Sequence, residues 1–142
     1  MIVYLDTSAF LKLYLDEDGG DQTREAIDKA GVICTHLITY VEMRAALARA
    51  HRMQRITDAE LIQYQEQFER DWITVRTVNI DIPMVRRAGE LAARHGLRGY
   101  DSVHLACADR VRSIKPIRKP MIFAAFDKKL LAAAQELGLS SL

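Results

Sequence analysis

The chain has 142 residues, of which 49% are hydrophobic and 27% charged, as expected for one folded domain spanning 1–142 and not for a disordered or fibrous protein. No run approaches the roughly 18 apolar residues of a membrane span, and Met1 leads into an apolar segment with no basic leader, so a cytoplasmic protein with no membrane contact is expected. The net charge of +1 hides an asymmetry: residues 84–129 hold eleven Lys or Arg against four acids, a local +7 that leaves −6 elsewhere and offers a polyanion a basic region on the later half of the fold.

In chain order, the apolar run 2–5 reads as a short strand closed by Asp6, and Thr7-Ser8 supplies N-cap chemistry for a helix over 9–15. Acidic residues and two glycines at 16–20 form a loop, a polar helix follows over 21–30, and 32–35 reads as a second strand. Helical spacing of apolar residues runs over 37–53, and Thr57-Asp58-Ala59-Glu60 resembles a capping start for a helix to about 71. The β-branched stretch 72–78 reads as a third strand, with a proline-started helix over 83–95 ended by Gly96. A helix over 100–111, a basic proline-containing loop, a strand over 121–126 and a helix over 128–137 complete the chain. Strands alternating with helices predict a three-layer α/β/α sandwich around a mainly parallel sheet, whose binding sites lie beyond the carboxyl ends of strands. Cys34 and Cys107 are far apart and belong to no CxxC pairing, so they read as buried small hydrophobes.

Four acids stand where a structural role would call for an apolar residue. Asp6 and Asp127 close strands; Glu42 shares a helix face with Ile38, Ala45 and Ala46, and Asp101 shares one with Leu105 and Ala108. Buried carboxylates need a cationic partner, and clustered ones repel unless a divalent ion resolves the conflict; all-oxygen ligands suit Mg²⁺ or Mn²⁺. Each acid also has a plain alternative. Asp6 and Asp127 would cap the helices after them, Asp101 would cap its own, and Glu42 would pair with Arg49 or another basic residue inside the fold. That all four plain roles hold, with no shared site, is the weaker account of their placement.

The segments Tyr4-Leu5-Asp6-Thr7-Ser8-Ala9, Tyr40-Val41-Glu42-Met43-Arg44, Gly99-Tyr100-Asp101-Ser102-Val103-His104-Leu105-Ala106 and Phe123-Ala124-Ala125-Phe126-Asp127-Lys128-Lys129-Leu130 resemble the ordered acidic motifs of PIN domains, most of all VapC-type toxins of type II toxin–antitoxin systems. The resemblance spans essentially the whole chain and substitutes none of the four acids. It implies a parallel sheet flanked by helices and an endoribonuclease that hydrolyses RNA with Mg²⁺ or Mn²⁺. The ion would be held by Asp6, Glu42, Asp101 and Asp127, most directly by Asp6 and Asp101, with Ser8 as the small hydroxyl beside the first acid. It also implies an RNA substrate, a cognate antitoxin and a homodimer. Water would be the nucleophile, so the chemistry itself does not need the RNA 2′-hydroxyl.

His104 reads as a packed or supporting histidine and Asp109 as a surface charge two turns past Asp101; Lys12 and Arg44 could touch phosphate but read as exposed-face residues, and His36, just after the second strand, sits where a site residue could lie, with nothing in the sequence that assigns it a role. A haloacid-dehalogenase phosphatase would want an acid at position 8, where Ser8 stands. A receiver domain would want one after the third strand, where Thr77-Val78-Asn79 stand. A PIN-like module without catalysis would not need all four acids. A PIN-fold nuclease acting in RNA processing or on DNA, without a toxin role, is the nearest rival.

Overall fold

Strand β1 (Ile2–Leu5) is apolar at every position because it is buried on both faces. In the computed structural model, which describes residues 1–114 and 119–142, it lies at the centre of a five-stranded parallel sheet. The other strands are β2 (Val32–His36), β3 (Arg76–Val78), β4 (Met121–Ala124) and β5 (Ser140–Ser141), in the order β3-β2-β1-β4-β5. Register sets Tyr4 beside Cys34 on one flank and Leu5 beside Ala124 on the other. Residues 115–118 of the expected basic loop between 111 and 121, Lys115 and Arg118 among them, lie outside the described residues.

Seven helices cover the sheet among the described residues: α1 (Thr7–Leu11), α2 (Gly20–Asp28), α3 (Thr39–Arg52), α4 (Asp58–Trp72), α5 (Ile82–His95), α6 (Gly99–Ser113) and α7 (Lys128–Glu136). Alternation along β1 sorts them into two layers. Val3 and Leu5 pack with Phe10, Met43, Leu47 and Phe68 of α1, α3 and α4, together with Ala26 of α2. Ile2 and Tyr4 face the opposite core, filled by Leu91 of α5, Leu105 of α6 and Leu130 of α7. Each such fully buried side chain contributes about 1.5–3 kcal/mol, so the expected three-layer sandwich is held by two cores sharing one sheet. Cys34 and Cys107 lie in the second core, where burial pushes their thiols up to about 12 and about 11, as inert hydrophobes.

Four boundaries differ from the sequence reading. Helix α1 begins at Thr7 because Asp6 itself caps it, and it ends at Leu11, where Leu13 and Tyr14 turn back to bond Phe10 and Leu11 three residues earlier. The third strand is only Arg76–Val78: Trp72 is the last residue of α4, drawn into an aromatic cluster with its ring centroid 5.4 Å from Tyr40 and 5.6 Å from Phe68. Strand β4 stops at Ala124, and Phe126 leaves the sheet toward Lys12. β5 is too short and polar for any periodic signal and exists by pairing Ser140 with Ile122. The capping box of Thr57 and Glu60 and the left-handed Gly96 after α5 are as expected. No described helix is long and apolar enough to cross a membrane.

Candidate active site

From β1 the chain moves to β2 and β3 on one side, then returns to β4 on the other, so the strand order reverses between β1 and β4. Open parallel sheets form a crevice at that reversal. Asp6 leaves β1 there and Asp127 follows β4, with the Asp6 amide donating to the Ala124 carbonyl at 3.0 Å to tie the two strand ends together.

Asp6 is only 3% exposed. Its Oδ1 accepts hydrogen bonds from the Ala9 amide at 2.8 Å and the Ser8 hydroxyl at 2.7 Å, and among the described residues nothing donates to Oδ2. Burial raises its pKa and the charge of Asp101 adds to the rise, while His104 and the Ala9 and Ser8 hydrogen bonds oppose it. Asp6 therefore senses the charge of Asp101. Asp101 stands in the first turn of α6, where Arg98 Nε donates to its Oδ2 at 2.8 Å. That guanidinium is held charged first by Asp101 and further by Asp127 and Asp6, so one cation senses three of the four acids. Asp127 caps α7, its Oδ2 accepting from the Leu130 amide at 3.0 Å.

Glu42, in the first turn of α3, is held from both helix layers, by Thr7 of α1 and His104 of α6. Its Oε1 accepts from the Thr7 hydroxyl at 2.7 Å and from His104 Nε2 at 2.8 Å. Burial pushes its pKa up, but these two partners outweigh that and leave the carboxyl below its ordinary value. With Nε2 donating, a neutral His104 ring presents Nδ1 as acceptor to the Tyr4 hydroxyl, 3.0 Å away. The apolar surroundings read for Glu42 need correcting. Ile38 and Ala46 are half-buried and Ala45 is exposed, whereas the core face of α3 runs through Met43, Leu47 and Ala50. Glu42 is tolerated because it sits at the rim paired with a basic residue inside the fold, which is His104 and not Arg49.

All four acids thus lie at helix N-terminal ends, two as caps and two in first turns. The positive ends of the helix dipoles favour carboxylates there. The plain capping roles weighed for Asp6 and Asp127 are realised, each carboxylate accepting from an amide of the helix it starts. Glu42 and Asp101 line one open cleft of about 570 Å³ with Arg98, Gly99, Tyr100 and Val103.

Three residues of this neighbourhood escaped the sequence reading. Thr7 counted there only as cap chemistry, and Arg98 only as one of many basic residues. His36, 2% exposed, accepts the Ile38 amide on Nδ1 at 3.0 Å, and its Nε2 has no hydrogen-bond partner among the described residues. Burial lowers its pKa, as does the charge of His104, while that of Glu42 opposes them. The signal for all three was position beside a strand end or an acid.

Lys12 is more enclosed than expected: it bonds Glu17 at 3.2 Å and lies 4.6 Å from the Phe126 ring centroid, while Arg44 bonds Glu69 and Tyr40. Asp109 is paired with Arg112 and Arg87, and Arg110 forks onto Asp81, so part of the basic excess is consumed by internal ion pairs. Arg86, Arg94, Lys119, Lys128 and Lys129 make no ion pair among the described residues.

The donor chemistry suits a hard divalent cation: four carboxylates, a buried one with an undonated Oδ2, and a guanidinium standing in as counter-charge. As the side chains stand, no three His, Cys, Asp or Glu groups among the described residues come close enough to enclose an ion. Asp101 is drawn to Arg98 and Glu42 to His104.

Fold and site define a parallel α/β protein with carboxylates gathered at its topological switch point. The PIN domain profile matches residues 3–139, and the chain belongs to the PIN-domain family. It is 34% identical over 137 residues to Ribonuclease VapC45 of Mycobacterium tuberculosis (strain CDC 1551 / Oshkosh), covering 96% of this chain and 92% of that protein. Its fold resembles the crystal structure of FitAcB from Neisseria gonorrhoeae, with a TM-score of 0.71 at 16% identity, covering 100% of this chain and 96% of that one. It also resembles VapBC2 from Rickettsia felis bound to a DNA fragment from their promoter, with a TM-score of 0.66 at 13% identity, covering 100% and 98%.

Proposed function

We propose that the protein is an endoribonuclease that hydrolyses RNA phosphodiester bonds with Mg²⁺ or Mn²⁺ and serves as the toxin of a toxin–antitoxin pair. The observation that carries this reading is Asp6: a carboxylate buried at the switch point, in the field of Asp101 and beside the end of the strand that leads to Asp127. Such a group is costly unless a cation satisfies it.

Asp6 and Asp101 would hold the ion most directly, and Glu42 and Asp127 would complete its surroundings. When bound, a divalent ion supplies Lewis acidity toward the phosphodiester and activates water for hydrolysis. The chain's own residues do the positioning. Ser8 and the Ala9 amide pin Oδ1 of Asp6 and leave Oδ2 without a donor among the described residues. Thr7 and His104 fix the Glu42 carboxylate, and the Leu130 amide orients Asp127.

The toxin role rests on 34% identity to a protein named ribonuclease VapC45 and on likeness in fold to a VapBC assembly. An antitoxin is the partner this reading requires, and the cytoplasm is where its RNA would be met. A homodimer belongs to the same reading. Leu37, Val41, Ile80, Ile82 and Val85, exposed apolar residues around the ends of β2 and β3, are the surface it would cover.

The test is cleavage of tRNA and rRNA by purified protein with Mg²⁺ or Mn²⁺. Activity should vanish in excess EDTA and in Asp6→Asn and Asp101→Asn variants that keep the fold. Undiminished cleavage in any of these rejects the mechanism. Expression of the chain alone should arrest growth, and normal growth with soluble active protein would remove the toxin role while leaving the nuclease.

A further inference from the structure

An acidic pocket repels the polyanion it is meant to cut, so something beside it must hold the strand in place. Arg98 has the chemistry for a phosphate. Its side chain is 80% exposed, and Nε alone is engaged, on Asp101 Oδ2 at 2.8 Å. A guanidinium carries five N–H donors, so the four on its terminal nitrogens remain, with no hydrogen-bond partner among the described residues. The Asp101 tether fixes where that fork stands, at the mouth of the cleft that Glu42 and Asp101 line. Two residues on, Tyr100 lines the same cleft with its side chain 58% exposed and its hydroxyl unpartnered among the described residues. A large exposed aromatic beside a cationic fork is the pairing that receives unstacked nucleotides: the ring takes a base, the fork its phosphate. Lys12 and Arg44, the other basic residues weighed for phosphate contact, are held by Glu17 and Glu69.

We propose that Arg98 and Tyr100 form the grip that seats the RNA strand, Arg98 binding a backbone phosphate beside the acids while Tyr100 stacks under the adjoining base, which must be unpaired there. This rests on the nuclease reading but concerns binding, not hydrolysis. Neither residue touches the reacting atoms; both position the strand.

The experiment uses the full chain carrying Asp6→Asn, which leaves the Arg98–Asp101 pair intact, and a fluorescein-labelled twelve-nucleotide oligouridylate with one 5-iodouridine, in Mg²⁺. Tyr100→Ala should weaken binding about ten-fold, as expected for one lost base stack, and Tyr100→Phe should restore it. Arg98→Ala should weaken binding and flatten the dependence of log affinity on log salt by about 0.7, one phosphate contact on a single strand. Arg98→Lys should keep the salt slope with lower affinity, because an ammonium cannot reproduce the fork. Irradiation should cross-link the iodouridine to Tyr100. Unchanged melting temperatures would separate these effects from folding. Equal affinity across the variants, absence of binding by the Asp6→Asn parent, or a cross-link elsewhere overturns the grip. Failure of the nuclease reading looks different: the unsubstituted protein would cut no RNA in any metal while the binding losses persisted.

Discussion

Replacing Asp6 separates two roles that the structure superimposes on one side chain. Asn keeps an oxygen for the Ala9 amide and Ser8 hydroxyl and caps helices as well as Asp, so Asp6→Asn should cost nothing as a cap. It also removes a desolvated charge in the field of Asp101. A carboxyl whose folded pKa lies above its ordinary 3.8 is more easily ionised in the unfolded chain. Its ionisation therefore erodes stability as pH rises from that value through the folded pKa. Without metal at neutral pH, Asp6→Asn should melt at or above the unsubstituted protein, whereas Asp6→Ala, which loses the cap as well as the charge, should fall about 1 kcal/mol, roughly 2–4 °C for a chain of this size, below Asp6→Asn. Metal reverses the order. An ion at 100 times its dissociation constant, bound by the folded state alone, adds about 2.7 kcal/mol, roughly 5–11 °C, to the protein that can bind it. Thermal melts in EDTA and in Mg²⁺, run beside RNA cleavage, read both quantities. Asp6→Asn should gain no more than a small fraction of that increment and should not cut. An equal Mg²⁺ shift in both proteins would refute the assignment of Asp6 to the ion.

Other outcomes follow from the contacts around the acids and beyond them. His104→Ala should cost about 1–3 kcal/mol in chemical denaturation beyond the lost packing, because it strands the buried Tyr4 hydroxyl, and Tyr4→Phe in the same chain should recover part of it. Simple addition of the two single costs would show that the pair is not coupled. Asp81, which accepts both Arg110 terminal nitrogens and caps α5, has its carboxyl lowered to about 2 by Arg110 and the Met84 amide. Its stabilisation is present above the ordinary 3.8 and lost as pH falls toward 2. Asp81→Asn keeps the cap and should flatten that part of the acid limb in pH-dependent melts; an unchanged slope would deny the ion pair any role. Gly19→Ala should lose more than about 1 kcal/mol, since φ is +91° and a Cβ would overlap the Phe126 ring. A melt within error of the unsubstituted protein would show that Phe126 can yield.

The four acids were legible because of their local grammar: an apolar strand closed by Asp6 or Asp127, and a helix entered just before Glu42 or Asp101. That pattern needs no knowledge of which strands are neighbours, and it found the carboxyl edge of the sheet before the order β3-β2-β1-β4-β5 was visible. What it could not supply was contact across the chain. Glu42 and His104 are 62 residues apart and Tyr4 and His104 are 100, so the chain Tyr4–His104–Glu42–Thr7 has no sequence signature. The face assigned to Glu42 was misread because alanines look apolar whether or not they are buried. Trp72 was placed in a strand because its β-branched neighbours suggested one, while its partners Tyr40 and Phe68 lie on α3 and earlier in α4.

Arg98 shows how an acidic pocket can persist in a folded chain. Each carboxylate is placed at the positive end of a helix, and each is given one donor set of its own: Ser8 and Ala9, Thr7 and His104, Arg98, and Leu130. These partners answer the charges singly and orient them, but they leave Oδ2 of Asp6 without a donor among the described residues. Asp6, Asp101 and Asp127 share one exposed cationic side chain, that of Arg98, as counter-charge. With Nε still on Asp101, a counter-charge on a long exposed side chain can offer its terminal nitrogens to phosphate without moving a helix. A buried lysine in its place would have satisfied the acids permanently and closed the pocket to any ion or strand.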